Sequence, residues 1–296
     1  MTRVVTDYQK ENRNAIIKAI VLRVLCYIFL CFVAVMCIFF FYLLLVNTTR
    51  ANNDLQGGRF TLMFSRFFNQ NFENLFTKFK TDFDALKGFR ASFVIAFSSA
   101  VLTCYFSALT AYGIYAYDFK GKRLMEAFIL AIMMIPPQLS SVGFFQIASR
   151  YGLKNNWWIL ILPSIAAPSV FFYMIQYLRA TLPKDLIESS RIDGSNEFMT
   201  FNRIVLPIMK PAIAVQMIFS FVGSWNNLYM PSLLLSDSKK KTLPVMINAL
   251  QRTSWGNIDL GCVYMAIFLS ILPVVIVYLF LSKFIIKGVT AGSVKG

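Results

Sequence analysis

The sequence predicts an all-α integral membrane protein with six transmembrane helices. Of its 296 residues, 57% are hydrophobic and 15% are charged, whereas about a quarter of a soluble domain is charged. The charged residues are segregated, which leaves six uncharged stretches of 23 to 27 residues, and about 20 residues of helix cross the hydrocarbon. None alternates polar and apolar residues as a barrel strand does, so each span must be a helix to satisfy its own backbone. The stretches are residues 24–46, 91–117, 127–149, 155–178, 211–236 and 260–282.

The distribution of basic residues gives the orientation. An even number of spans puts both termini on one side of the membrane. That side carries 16 Lys and Arg residues and the other carries 13, of which 7 lie in or beside the long 47–90 segment, where the rule that basic residues mark the cytoplasmic side has less force. We therefore expect both termini and the 179–210 loop to be cytoplasmic.

The first 88 residues comprise a polar to amphipathic cytoplasmic lead-in (1–23), followed by the first span and an aromatic loop (24–88). Apolar side chains recur every three or four residues in the second half of this loop, which is typical of an amphipathic helix. We expect this helix to lie on the outer membrane surface or to cap the bundle, and a docking surface for an external partner is the alternative. The periodic residues are Phe64, Phe68, Phe72, Phe76, Phe79, Phe83 and Leu86.

Residues 89–287 form the predicted core, with spans two to six. The second span carries small polar side chains that suit close helix packing. In the third, Pro136-Pro137 removes two backbone donors and should kink or break the helix. The fourth contains two further prolines and the pair Trp157-Trp158, which is typical of a membrane interface. The fifth is the most polar of the six.

Several chemistries are missing from the sequence. It has no histidine, its five cysteines lack metal-ligand spacing, and it contains no Gly-x-x-x-x-Gly-Lys-Ser/Thr phosphate loop. We therefore expect neither a metal site nor nucleotide binding by that loop. No ionisable side chain lies in the six uncharged stretches, although ion-coupled transporters commonly use such residues. The net charge of +15 is scattered over every loop, so membrane lipid explains it and no nucleic-acid partner is expected.

The polar 179–210 loop has the pattern of two short helices joined by a glycine. A proline at the start and acidic residues nearby favour a helix from Pro183 to Asp193. Gly194 can adopt the left-handed conformation that ends a helix. A second helix from about 196 to 205 would offer an apolar side before two prolines lead into the fifth span. The pattern predicts a rigid elbow, and an amphipathic linker resting on the membrane is the alternative.

The spacing of five residues in this loop resembles a known signature. Glu-x-x-x-x-x-Gly, nine residues, then Ile-x-Leu-Pro is similar to the cytoplasmic loop of permease subunits of binding-protein-dependent ABC importers. A chance match of all five is on the order of one in a million per starting position. The matching residues are Glu188, Gly194, Ile204, Leu206 and Pro207.

The family usually has Ala-Ala after the glutamate, where this chain has Ser189-Ser190, and serine is small enough for the same close docking. The resemblance covers residues 89–296, whereas the first 88 residues match only in length and placement. Four further segments are similar to the carbohydrate branch, most nearly to the second permease subunit of maltose-type transporters. They are residues 134–136, 221–227, 242–245 and 288–296.

The resemblance implies a type I ABC importer permease fold in a bacterial-type cytoplasmic (inner) membrane, without a catalytic site or a cofactor of its own. ATP and Mg²⁺ would bind to two cytoplasmic ATPase subunits, and the other partners would be a second homologous permease subunit and an extracytoplasmic solute-binding protein. The loop would be a coupling helix, in which Glu188 pairs with a basic residue of the ATPase, Gly194 forms the elbow and Ile192 fills a groove. The 288–296 segment would be a cytoplasmic tail that reaches between the ATPase subunits. The implied coupling residues are Glu188, Ser189, Ser190, Ile192, Asp193, Gly194, Ile204, Leu206 and Pro207.

The translocation path is expected at the polar residues of the fifth span, which are Trp225, Asn226, Asn227, Tyr229 and Gln216. Carboxamides hydrogen-bond to hydroxyls, and aromatic faces pack against sugar rings. Hydrogen bonds across helices are the alternative role. The leading hypothesis is import of a sugar or oligosaccharide. The alternatives are import of a peptide, polyamine or phosphorylated polyol by the same kind of permease, and an ion-coupled secondary transporter.

Overall fold

A computed structural model describes residues 2–79, 83–252 and 258–293, with side chains for 15–79, 83–252 and 258–280. No strand occurs among these residues. The chain divides into two units, Met1–Phe72 with Leu260–Phe268 and Glu73–Asp259 with Leu269–Gly296. The helices are α1 (Thr2–Thr48), α2 (Asn52–Gln56), α3 (Phe68–Thr77), α4 (Ala85–Ala116), α5 (Lys122–Ile132), α6 (Pro137–Arg150), α7 (Trp158–Ile161), α8 (Pro168–Thr181), α9 (Lys184–Ile192), α10 (Glu197–Thr200), α11 (Leu206–Ile208), α12 (Lys210–Trp225), α13 (Tyr229–Leu234), α14 (Leu243–Gln251) and α15 (Leu260–Ser293).

The helices confirm the predicted fold class. Four segments are long and apolar enough to cross a membrane, namely Ala15–Thr48, Ala85–Ala116, Trp158–Thr181 and Leu260–Phe280. Two bent pairs also qualify, and counting each pair as one span gives six. These pairs are α5 with α6, bent by 89°, and Glu197–Ile208 with α12, bent by 80°.

The breaks within the spans follow the prolines. Helix α5 ends before Pro136-Pro137 and α6 begins at the second proline, as predicted from the missing backbone donors. The fourth span contains a 3-10 turn at Leu162–Ile165, and α8 begins at Pro168. The fifth span breaks after Trp225, before α13 starts. That last break was not predicted.

The predicted helix along the aromatic loop is wrong in its length. Among the described residues from Phe64 to Phe83, only α3 is helical; Phe64 precedes it, and α3 ends before Phe79. A new helix begins after Asp84, whose carboxylate accepts a hydrogen bond from the Lys87 N–H at 3.2 Å. This N-cap starts α4, so the spacing of the phenylalanines continues across a helix boundary. Residues 80–82 lie outside the described residues.

The predicted lead-in and the first span lie on one helix, because α1 runs without interruption from Thr2 to Thr48. In this first unit, the buried Asn71 side chain joins the turn after α1. Its amide donates to the Thr48 and Arg50 carbonyls, both at 2.8 Å. Gly261 lies against the same carboxamide, and a Cβ there would lie 2.7 to 2.8 Å from its atoms.

We expect Gly261→Ala to lower the thermal unfolding midpoint of the detergent-solubilised chain. The added methyl would push the Asn71 amide off two carbonyls, at a cost of about 1–3 kcal/mol. Gly143→Ala is the matched control, since that position is exposed in α6 with nothing within 4 Å of a Cβ. Equal midpoints for the two variants would contradict the clash.

In the second unit, α4 is the central helix and lies against α12, α8 and the segment of the fourth span before α8. Its contact face consists of buried alanines and small polar residues, which let helices approach closely. The Thr103 hydroxyl donates to the Ser164 carbonyl at 2.8 Å, and the Ser164 hydroxyl in turn donates to the Ser99 carbonyl at 3.3 Å. One end of α4 contributes to a core that also includes the 179–210 loop.

Candidate functional site

The 179–210 loop forms the predicted elbow, defined here as residues 184–208. Its first arm is α9, which follows Pro183. Gly194 has a φ of +77°, the left-handed conformation predicted for the bend. Asn196 caps the second arm by accepting a hydrogen bond from the Met199 N–H at 2.8 Å. The second arm continues from α10 through a π-helical turn at Phe201–Val205.

Both arms are held in the protein interior by buried side chains, which we call the roots of the elbow. Ile187 is 2% exposed, and Phe201 and Val205 are fully buried in the same cluster as Ala108 of α4 and Met174 of α8. Because this interior is closely packed, the elbow cannot shift without moving the helices that surround its roots.

Ser190 is one of these roots and is 4% exposed. Its hydroxyl donates to the Ile187 carbonyl at 2.8 Å and lies 3.2 Å from the Thr200 hydroxyl. Ser190 therefore joins the two arms, and its expected role in ATPase coupling stays a prediction. The neighbouring Ser189 is exposed.

The outer surface of the elbow is apolar where it turns. Ile192 is 86% exposed and Phe198 is 67% exposed. Glu188, Asp193 and Gly194 are also exposed, as is Pro207, while Ile204 and Leu206 are half-buried. Phe198 was not among the expected coupling residues, although its place on the apolar side of the second arm was a usable signal. We call Ile192 and Phe198 the apolar tip.

A polar cluster fastens the elbow to the end of α4, and we call it the Glu197 clamp. The Glu197 carboxylate accepts hydrogen bonds from Arg191 Nε and from the Tyr112 hydroxyl, both at 2.7 Å. The Arg191 guanidinium also lies over the Tyr117 ring, 5.2 Å from its centroid. The clamp thus connects both arms with α4, and sequence reasoning missed it.

The protonation state of the clamp follows from these contacts. Burial raises the pKa of the Glu197 carboxyl, but the hydrogen bonds from Arg191 and Tyr112 outweigh it, so this pKa lies below its ordinary value. A carboxyl with a depressed pKa stabilises the folded state above its unfolded pKa, and the contribution is lost as the pH falls through the folded value. The clamp is therefore ionised and intact at neutral pH.

The expected path residues of the fifth span are not all together. Trp225 is 2% exposed, its ring stacks on Phe221 at 5.6 Å, and its indole N–H donates to the Ser270 carbonyl at 3.1 Å. The indole therefore joins α12 to α15, and the expected place of Trp225 in the translocation path stays a prediction. Gln216 is half-buried within α12, whereas Asn226 is exposed in the break that follows.

Asn227 and the break in the third span border one open cavity of about 290 Å³. Its polar lining comprises Ser140, Ser141, Ser224 and Asn227. The Tyr229 hydroxyl lies 2.9 Å from the Ser141 hydroxyl, joining the fifth span to α6. Hydroxyl and carboxamide groups without a charge suit a neutral polar solute. Ser140 and Ser141 of α6 were not among the expected path residues, although the neighbouring Pro136-Pro137 indicated a break in the helix there.

No part of the described chain offers a metal site, since no three His, Cys, Asp or Glu side chains come together there. The polar groups of the cavity are hydroxyls and a carboxamide, whereas the elbow carries the clamp and further charged side chains such as Glu188. These can bind, orient and transmit movement.

Comparisons with known proteins agree with this architecture. The model of the family described as "Binding-protein-dependent transport system inner membrane component" matches residues 104–290, which include the elbow and most of the cavity. The arabinooligosaccharides transport system permease protein AraQ of Bacillus subtilis (strain 168) is 37% identical over 213 residues, 71% of this chain and 74% of AraQ.

The trehalose/maltose transport system permease protein MalG of Thermococcus litoralis is 34% identical over 208 residues, 69% of this chain and 74% of MalG. Among solved structures, a chain of a bacterial ABC transporter involved in the import of the acidic polysaccharide alginate superposes with a TM-score of 0.75 at 18% identity. The match covers 89% of this chain and 96% of that one. At this identity the likeness establishes the fold.

Proposed function

Because this chain belongs to the family of binding-protein-dependent transport system inner membrane components, we propose that it is a permease subunit of an ABC importer for a sugar or oligosaccharide. The names of AraQ and MalG, which refer to arabinooligosaccharides and to trehalose/maltose, support this substrate class. The uncharged cavity at Asn227 agrees with a neutral polyhydroxyl solute and offers a polyamine no carboxylate.

The observation that carries the coupling role is the contrast between the two sides of the elbow. Its roots are buried, whereas Ile192 and Phe198 stand out with 86% and 67% exposure. Burying a large apolar side chain contributes about 1.5–3 kcal/mol, so the apolar tip favours a protein partner. The partner is a cytoplasmic ATPase subunit with a groove for this tip, and Glu188 pairs with a basic residue beside the groove.

The mechanism is the transmission of movement through the elbow. ATP and Mg²⁺ bind to two separate ATPase subunits, and their closure displaces the elbow. Because Ile187, Phe201 and the Glu197 clamp join the elbow to α4 and α8, these helices move with it as one body. Rocking of such bodies around a site at the membrane midplane gives alternating access.

The other components follow from the same role. A second, homologous permease subunit completes the pore, and an extracytoplasmic binding protein delivers the solute. The elbow and both termini lie in the cytoplasm, in agreement with the basic residues of the sequence. The prediction that the 288–296 tail reaches between the ATPase subunits falls on residues whose side chains, and in 294–296 also the backbone, lie outside the described residues.

Glu188→Lys tests this proposal in the reconstituted importer. We expect solute-stimulated ATP hydrolysis and uptake to fall together by about tenfold, since a like charge replaces a charge-assisted pair worth about 1.5–3 kcal/mol. Asp185→Lys is the matched control, because it makes the same charge change at an exposed position of α9. Unchanged hydrolysis and uptake in Glu188→Lys would exclude the coupling role.

A further inference from the structure

Two loops at the end of α4 opposite the Glu197 clamp are fastened together through Asn155. This residue has a φ of +57° and is the only described non-glycine residue with a positive φ. Its side-chain oxygen accepts hydrogen bonds from the Ser236 and Asp237 N–H groups at 2.7 and 2.8 Å. Its carbonyl accepts a third from Lys240 Nζ at 2.7 Å. Asparagine tolerates this left-handed backbone, and the three bonds hold the two loops together as a fixed frame.

The frame borders an open pocket of about 440 Å³. Val94 and Ile161 line its apolar part together with Trp157 and Trp158. The Trp157 indole N–H donates to the Lys240 carbonyl at 3.0 Å, which fixes the ring against the opposite loop. The pocket therefore has an apolar wall whose position is set by hydrogen bonds.

The charged part of the pocket is entirely basic and consists of Arg90, Lys239 and Lys240. Within the described residues, no acidic side chain pairs with Arg90 or Lys239. The carboxylate nearest to Lys239 along the chain is that of Asp237. It accepts a hydrogen bond from the Lys239 backbone N–H at 2.9 Å. The pocket thus presents two unpaired cations beside apolar surface, a combination that suits a ligand with an anionic head and an apolar body.

The place of the pocket along the spans identifies that ligand. The uncharged stretch of the second span begins directly after Arg90, that of the fourth begins at Asn155, and that of the fifth ends at Ser236. Three membrane boundaries therefore meet at this pocket, and tryptophan is enriched at such boundaries. From this placement we expect the basic groups at the level of the lipid headgroups.

We propose that this pocket binds an anionic phospholipid. Its phosphate is held by Arg90 and Lys239, since a guanidinium matches phosphate geometry, and its acyl chain lies along Val94 and Ile161. The bound lipid would supply the counter-charge that the chain itself does not, at the end of α4 farthest from the elbow.

Quenching of tryptophan fluorescence by brominated lipids tests the site directly. The full chain is placed in phosphatidylcholine vesicles that contain equal fractions of either dibrominated phosphatidylglycerol or dibrominated phosphatidylcholine. We expect stronger quenching by the phosphatidylglycerol, because Trp157 and Trp158 line the pocket. Each basic residue strengthens binding to acidic lipid about fivefold, so R90Q/K239Q should weaken the preference by about 25-fold.

The matched control is R59Q/K241Q, which removes two cations that do not line the pocket. It should keep the preference of the original chain. Equal quenching by both lipids, or the same loss in both double variants, would overturn the proposal. Reversal of the quenching by excess glycerol phosphate would assign the pocket to a soluble anion instead. The measurement uses neither ATP nor a sugar, so its failure would leave the proposed transport function untouched.

Discussion

Gly194→Val is expected to lower solute uptake by the reconstituted importer about tenfold. A side chain at φ +77° costs about 1–2 kcal/mol, and a branched Cβ adds to the strain. No atom lies within 4 Å of a Cβ at this position, so the effect comes from the backbone alone. Loss of the bend reduces the fraction of chains whose elbow fits an ATPase, which lowers the apparent affinity by the same factor.

Gly194→Asn separates the backbone conformation from the size of the side chain. Asparagine tolerates the left-handed region, so this variant should keep uptake within about twofold of the original chain. Co-purification of the ATPase subunits should follow the same order as uptake. Equal losses for valine and asparagine would show that the conformation of the bend does not matter.

Glu197→Ala is expected to separate ATP hydrolysis from transport. The variant retains the apolar tip and Glu188, which are the proposed docking residues for the ATPase, but the elbow loses its bonds to Tyr112 and Arg191. Coupling free energies between sites are typically 1–3 kcal/mol, and we expect the number of solute molecules moved per ATP to fall about tenfold. Hydrolysis itself should change little.

The effect on stability should be small by comparison. The Arg191 and Glu197 side chains are 36% and 39% exposed, and exposed ion pairs contribute about 0.2–1 kcal/mol. Tyr112→Phe removes only the bond to α4 and should reproduce the uncoupling. Glu126→Ala is the control, since it breaks the 2.8 Å pair with Arg179 away from the elbow. An unchanged ratio of solute to ATP in Glu197→Ala would exclude the clamp from transmission.

The sequence predicted those features that depend on local chemistry. Charge-free runs gave the spans, Pro136-Pro137 gave the break between α5 and α6, and Gly194 gave the bend. Each signal acts within a few residues along the chain. The spacing of the aromatic residues predicted the wrong helix length, because the N-cap at Asp84 starts a new helix within the periodic segment.

Features that depend on contacts between segments far apart in the chain could not be predicted from such local signals. Tyr112 and Glu197 are 85 residues apart in the chain, and nothing in either neighbourhood indicates the bond. The Trp225 indole likewise bonds to the carbonyl of Ser270, 45 residues away. The cavity lies where the third and fifth spans break. The break in the fifth span follows Trp225, and no proline stands at Asn226 to predict it.

The most direct test of the central claim is site-specific photocrosslinking from the apolar tip in membranes that contain the co-expressed ATPase subunit. A photoreactive residue replaces Ile192 or Phe198 in turn, and a third variant carries it at Met63, which is 80% exposed outside the elbow. We expect both tip positions to form a crosslink with the ATPase, identified by mass spectrometry, and Met63 to form none. A tip that crosslinks only to lipid, or no more often than Met63, would contradict the assignment of the elbow as the site where the ATPase acts on this chain.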